Sequence, residues 1–231
     1  VNDMIDAQEA DGNVPGIVPT SWHWDSNWAG PMWDAAIFIT PHLLYQYSGD
    51  TRAIETIYPA AKRYLEYLQT REEANGTINH GLGDWLFYKA QTPVDFMATC
   101  FYYWDNVLMA QMARLTGREP ETAPYEAKAE KLKVLINELF FDPEKVCYSN
   151  GTQLSYALPL YVGIVPEQYE KRLAENLNCC IADNDYSLDF GFIGSLVVPA
   201  VLSDYGYADA VYRMVTKTTL PSWGYWICLL Y

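Results

Sequence analysis

Residues 48–73 read SGDTRAIETIYPAAKRYLEYLQTREE, and the fold follows from this stretch. Apolar Ile54, Ile57, Ala61, Tyr64, Leu65 and Leu68 recur at three- and four-residue intervals, which puts them on one face of a helix over 51–73. The Gly49-Asp50 turn is tight enough to set that helix antiparallel to one over about 32–48, so the unit is a helical hairpin.

The same grammar repeats along the chain. A second hairpin is predicted over 94–116 and 123–141, divided by Gly117-Arg118-Glu119-Pro120. A third spans 153–163 and 167–182 around Pro166, and a fourth spans 190–205 and 207–218 around Gly206. Residues 4–8 look like the last turn of a helix, and a further element starts near Trp223. Strands are hard to find in this pattern. Short turns close each hairpin, whereas long linkers rich in Trp, Asp, Asn and Gly join one hairpin to the next, at 11–31, 75–93, 142–152, 183–189 and from Leu220 onward. If hairpins stack side by side, the long linkers gather on one rim. The expectation is an all-α chain of one domain, 1–231, built as an incomplete (α/α)6 toroid. An open α-solenoid has the same helix pattern, but no fixed short repeat is visible.

Composition narrows the function. The 231 residues carry a formal net charge of −14, which repels phosphate backbones and anionic membrane surfaces, so neither nucleic acid nor membrane is an expected partner. No stretch is apolar for long enough to span a bilayer. Aromatics reach 15%, the kind of excess a sugar-binding cleft needs because flat rings stack on the apolar faces of pyranoses; Tyr-rich helix packing gives the same composition. The five cysteines lack disulfide-framework or zinc-ligand spacing, and no cluster around the three histidines has metal-ligand spacing, so no metal and no cofactor is expected. Phosphate-loop, dinucleotide and Gly-x-Ser-x-Gly patterns are missing. The opening Val1-Asn2-Asp3 has neither a signal region nor an initiator methionine, which points to an excised or processed start and leaves the compartment open.

Two linkers concentrate chemistry. The first holds Trp22, His23, Trp24, Asp25, Asn27 and Trp28, with Trp33 and Asp34 just beyond it. Several indoles in one loop suggest a rim that binds something flat with polar edges, or else plugs for the barrel end. The second holds Gly81-Leu82-Gly83-Asp84-Trp85-Leu86, where glycine lets the backbone pass close to a ligand while Asp84 and Trp85 project. Asp34 and Asp84 on such loops can accept hydrogen bonds from sugar hydroxyls, serve as acid or base, or cap a helix.

The order of motifs adds a resemblance. The stretches Asp11-Gly12-Asn13-Val14-Pro15-Gly16-Ile17-Val18-Pro19, Trp33-Asp34-Ala35-Ala36, Gly83-Asp84-Trp85-Leu86, Gly151-Thr152-Gln153 with Tyr156-Ala157-Leu158, Gly191-Phe192-Ile193-Gly194, and Thr218-Thr219-Leu220-Pro221-Ser222-Trp223-Gly224-Tyr225 together resemble glycoside hydrolase family 78, the α-L-rhamnosidases. That resemblance implies an (α/α)6 barrel and inverting hydrolysis of terminal α-L-rhamnosides. In such a reaction one carboxylic acid protonates the leaving oxygen while a second carboxylate activates water from the opposite face. By the same resemblance Trp33 and Trp85 wall the rhamnose pocket and come to a common concavity, with Asp34 and Asp84 as polar or structural residues of the rim.

Departures from the family pattern shape the expectation as much as the matches. The acid motif that the family carries upstream of the 4–8 helix is not in this sequence. After Trp223-Gly224-Tyr225 the chain runs Trp226-Ile227-Cys228-Leu229-Leu230-Tyr231 where the family continues into its base region. No catalytic residue is therefore assigned within the chain, and no turnover is expected from it alone. The candidate substrate-binding residues are Trp33, Trp85, Asp34, Asp84, Trp22, Trp223 and Tyr225, and the expected partner is a rhamnose-containing carbohydrate. A toroid with fewer than six hairpins leaves apolar helix faces without neighbours, so self-association is also expected. Another α/α-barrel glycosidase or lyase, or a non-catalytic helical sugar-binding or scaffold domain, remains as an alternative.

Overall fold

The structure, a computed structural model, describes residues 1–19 and 28–228, and the chain divides into two compact units. The first comprises Val1–Gly83 with Val94–Ile136, and the second Asp84–Pro93 with Asn137–Tyr231. Among the described residues, helix is the dominant element, as the periodicity predicts.

The first unit holds α1 (Asn2–Ala7), the single turn α2 (Pro31–Asp34), α3 (Ala36–Ser48), α4 (Arg52–Thr70), α5 (Val94–Leu115) and the first part of α6 (Thr122–Phe140), which follows a short 3-10 turn at Glu119–Glu121. Helix α3 packs on α4, and α2, α3 and α4 pack on α5. Helices of successive hairpins differ in the way their sequences dictate. Helix α4 buries one stripe, with Ile54, Ile57, Ala61, Tyr64, Leu65 and Leu68 inside as expected, and leaves its charged face in water. Helix α5 buries every residue from Phe96 to Tyr103, which is possible only for a helix covered on all sides. Each large apolar side chain hidden in this way, Phe38 or Met97 for example, contributes roughly 1.5–3 kcal/mol of burial. Glycine closes the first hairpin: Gly49, at φ 70°, follows the last turn of α3 and bonds back to the Tyr45 carbonyl.

The predicted helix over 32–48 is interrupted at Ala35, where α2 ends and α3 begins. Gly30, at φ 75°, and Pro31 start the short turn; Pro31 supplies no N–H, which the first turn of a helix does not need.

The second unit contains α7 (Gln153–Val162), α8 (Glu167–Asp183), α9 (Phe192–Asp204), α10 (Ala208–Thr216) and α11 (Trp223–Cys228). Helix α7 packs on α8 and α9, and α10 on α8, α9 and α11. Thr152 caps α7 by accepting the Ser155 N–H at 3.2 Å. One antiparallel ladder occurs here, β1 (Phe141–Asp142) against β2 (Cys147–Tyr148), where the sequence suggested no strand and a helix running to residue 141. The Asp142 carboxylate reverses the chain by accepting the N–H groups of Glu144 and Lys145 at 3.0 and 3.1 Å, and Phe141 turns inward against Tyr148 and Tyr169. The fourth hairpin's first helix starts at Phe192 rather than at residue 190, for a reason that lies in the candidate site.

Candidate functional site

In the first unit, two loops are pressed together backbone to backbone. A Cβ on Gly30 would sit 2.6 Å from the Gly81 Cα, one on Gly81 would sit 2.7 Å from the Ala29 carbonyl, and Leu82 donates its N–H to that carbonyl at 3.0 Å. Only glycine permits this approach. It brings the Gly83 carbonyl within 3.0 Å of the Trp33 indole N–H, which donates to it, and the half-buried ring is thereby fixed in direction. Asp34, the next residue, points into the interior, where the Tyr64 hydroxyl donates to its Oδ2 at 3.1 Å.

A second carboxyl shares this interior. Asp105 on α5 is fully buried, and neither of its oxygens, nor Asp34 Oδ1, has a hydrogen-bond partner among the described residues. Burial drives the Asp34 carboxyl up to about 8 against the opposing bond from Tyr64. Burial and the neighbouring Asp34 push Asp105 well above the carboxylate range, and burial together with the two carboxyls raises the Tyr64 phenol. Two carboxyls in one dry place cannot both ionise at little expense, so the pair holds protons that surface aspartates lose. Sequence reading had counted Tyr64 as core and had not singled out Asp105. The available signal was a carboxylate set among Tyr102, Tyr103, Trp104 and Leu108 in a helix whose buried run is mainly apolar.

In the second unit, Asp84 is 2% exposed and spends both oxygens on the first turn of α9. Oδ2 accepts the Gly191 N–H at 2.6 Å, while Oδ1 accepts those of Ile193 at 2.9 Å and Gly194 at 3.2 Å. This is the capping function considered for Asp84, applied to a helix more than a hundred residues away in sequence. Burial pushes its carboxyl upward, and the three donated bonds oppose that shift. The cap also fixes where α9 begins, since Gly191 must lie flat under the loop: a Cβ there would fall 2.0 Å from the Trp85 carbonyl, which accepts the Phe192 N–H at 2.9 Å. Further along, Asp189 accepts the N–H groups of Lys89 and Ala90 at 2.7 and 3.0 Å, and Thr92 shares a 2.7 Å bond with Thr152. The 84–93 segment is thus tied down at both ends.

On that base Trp85 stands 46% exposed, its ring stacked on Phe192 at 5.3 Å between centroids. Phe192, which falls in the helix predicted over 190–205, is 54% exposed. Beside it lies a groove of about 620 Å3 lined mainly by aromatic and aliphatic side chains, among them Phe190 and Trp223, whose rings are 6.2 Å apart. Trp223 opens α11 and Tyr225, half-buried, donates its N–H to Ser222 Oγ at 3.0 Å. The structure therefore places Trp33 and Asp34 side by side in one unit, and Asp84, Trp85, Trp223 and Tyr225 in the other. Trp22 lies outside the described residues. Asp34 and Asp84 are interior groups, so neither offers an oxygen to solvent as a rim carboxylate would. Phe87, Phe190 and Trp226 were not anticipated as groove residues; their ring content was the only signal for them.

No group of three or more His, Cys, Asp or Glu side chains among the described residues is arranged to hold a metal, and no described helix is long and apolar enough to cross a membrane.

A model of the bacterial alpha-L-rhamnosidase six-hairpin glycosidase domain matches residues 1–228. An alpha-L-rhamnosidase of Streptomyces avermitilis is 31% identical over 224 residues, covering 96% of this chain and 21% of that protein. Among solved structures, Streptomyces avermitilis alpha-L-rhamnosidase complexed with L-rhamnose superposes with a TM-score of 0.91 at 30% identity, covering 99% of this chain and 22% of that one. The alpha-L-rhamnosidase of Dictyoglumus thermophilum superposes with a TM-score of 0.88 at 29% identity, covering 99% and 26%. The chain spans about a fifth to a quarter of the length of these relatives.

Proposed function

Since this chain belongs to the bacterial alpha-L-rhamnosidase six-hairpin glycosidase domain family, we propose that it supplies sugar-stacking walls to an enzyme that hydrolyses terminal α-L-rhamnosides with inversion. The observation that carries the reading is the exposed Trp85 ring on a rigid base. An indole left in water at 46% exposure, on a loop locked by Asp84 to the start of α9, is a preorganised face for the apolar side of a pyranose. Trp33, aimed by its bond to Gly83, is the stacking ring that the first unit supplies. Trp223 lines the groove together with Phe192, the ring on which Trp85 stacks, and Tyr225 and Trp22 stay with the sugar-binding candidates.

Asp34 and Asp84 act from beneath as positioning residues. Inverting hydrolysis needs one carboxyl able to reach the glycosidic oxygen and another able to reach a water on the opposite face. Asp84 has both oxygens on backbone N–H groups and Asp34 is turned toward Tyr64, so neither is placed for those roles. The acid and base are assigned to other residues of the enzyme, and this chain alone is expected to leave an aryl α-L-rhamnoside uncleaved.

Titration of L-rhamnose into the chain, followed by indole fluorescence and proton NMR, tests the reading. Saturable binding is expected, weakened about tenfold or more in Trp85→Ala, a loss typical of a stacked ring. Binding as strong as wild type in both Trp85→Ala and Trp33→Ala would remove the sugar wall.

A further inference from the structure

The groove beside Trp85 differs in chemistry from a surface made for sugar. Phe87, Tyr88, Phe190, Phe192, Trp223 and Trp226 contribute rings to it, with the Tyr88 hydroxyl at one of them, and no carboxylate, amine or guanidinium is among its lining side chains. Its one serine, Ser195, already donates its hydroxyl to the Gly191 carbonyl at 2.8 Å. A pyranose brought into this space would strip water from several hydroxyl groups and find few acceptors for them, and each group left unpaired weakens binding. A flat, weakly polar ring system meets no such penalty and stacks on the walls. The groove is continuous with the proposed sugar wall, because Phe192 belongs to both: one part of its environment is the Trp85 ring at 5.3 Å, and it also lines the groove. A volume of about 620 Å3 leaves room for a fused aromatic group.

We propose that this groove receives a flat aromatic aglycone joined to the rhamnose, in preference to a second sugar. The inference deepens the rhamnoside reading and rests on it. Trp223 and Phe190, tilted toward one another, form the stacking faces, and Ser195 is a bystander whose hydroxyl is already used.

The test compares three probes on the whole chain by calorimetry: methyl α-L-rhamnoside, 4-nitrophenyl α-L-rhamnoside and an α-L-rhamnosyl-glucose disaccharide. The aryl rhamnoside is expected to bind about tenfold tighter than the methyl one, with the disaccharide close to the methyl value. Trp223→Ala should lower aryl rhamnoside affinity about tenfold more than it lowers methyl rhamnoside affinity. Phe190→Leu, which keeps most of the volume, should reduce the gain about threefold and serves if the tryptophan variant fails to fold. A disaccharide that gains as much as the aryl probe overturns the proposal, as does an aryl gain that survives both substitutions. An aryl gain that disappears as protein concentration rises marks a groove filled by a second copy of the chain and also overturns it. Methyl rhamnoside binding with no aryl gain refutes the groove alone, whereas no binding of any probe refutes the rhamnoside reading beneath it.

Discussion

Titrating the protein from about pH 4.5 to about pH 8.5 should weaken it, because the fold keeps the Asp34 carboxyl protonated where the unfolded chain does not. In the unfolded chain this group ionises near its ordinary value of 3.8, whereas burial in the first unit raises it to about 8. Across that window the folded state binds the extra proton. Stability from this group is therefore fully present below about pH 4, falls as pH rises, and levels off above about pH 8. The shift of roughly four units corresponds to a ceiling of about 5–6 kcal/mol at 1.36 kcal/mol per unit. The Tyr64 hydroxyl and Asp105 are the ionisable groups facing Asp34, and relaxation around the charged form brings the expected loss to about 2–4 kcal/mol. Guanidinium unfolding of wild type and Asp34→Asn across the pH series isolates the term. Asparagine preserves an acceptor for Tyr64 and cannot ionise, so the variant should lose markedly less stability than wild type over the same window. Carboxylates remote from Asp34 titrate in both proteins and cancel in the difference, whereas Asp105, which Asp34 helps to push upward, is part of the effect measured. Parallel stability curves for the two proteins would show that Asp34 ionises normally and that the buried pair does not exist as described.

Three further outcomes follow from the same geometry. Asp84→Ala strips three backbone N–H groups of their acceptor at the start of α9 and should cost about 3–5 kcal/mol in thermal unfolding, with Asp84→Asn intermediate; a loss below about 1 kcal/mol would mean that water replaces the cap easily. Gly191→Ala drives a methyl group into the Trp85 carbonyl and should lower stability by about 2 kcal/mol or more while shifting the Trp85 emission, and an unperturbed spectrum would argue against the close approach. Leu43, Leu44 and Tyr47 leave an exposed apolar face on α3, so light scattering should detect association at high protein concentration that Leu44→Glu with Tyr47→Lys reduces; a wild-type monomer across the range would discard that expectation.

Helix pairing was legible in the sequence because it is written in local periodicity. The stripe from Ile54 to Leu68 and the continuous apolar run of α5 state which faces must be covered, whatever covers them. A turn whose residue carries its own backbone preference, such as Gly49, was equally plain. The β1–β2 ladder was not, since a two-residue strand has no period to read and depends on Asp142 folding back on its own neighbours.

At the site the division is sharper. Sequence alone marked Trp33, Asp34, Asp84 and Trp85 as unusual through their types and their glycine neighbours, and the order of the motifs named the family. Which aspartate faces solvent, which caps a helix and which stays protonated is decided by partners far away in the chain. Asp84 meets Gly191 only after 107 residues have folded back, and Asp34 meets Tyr64 only when α2 lies against α4. A carboxyl group is chemically the same in every position of a sequence. Its charge and its role are set by the donors and the water around it, and those are supplied by tertiary structure.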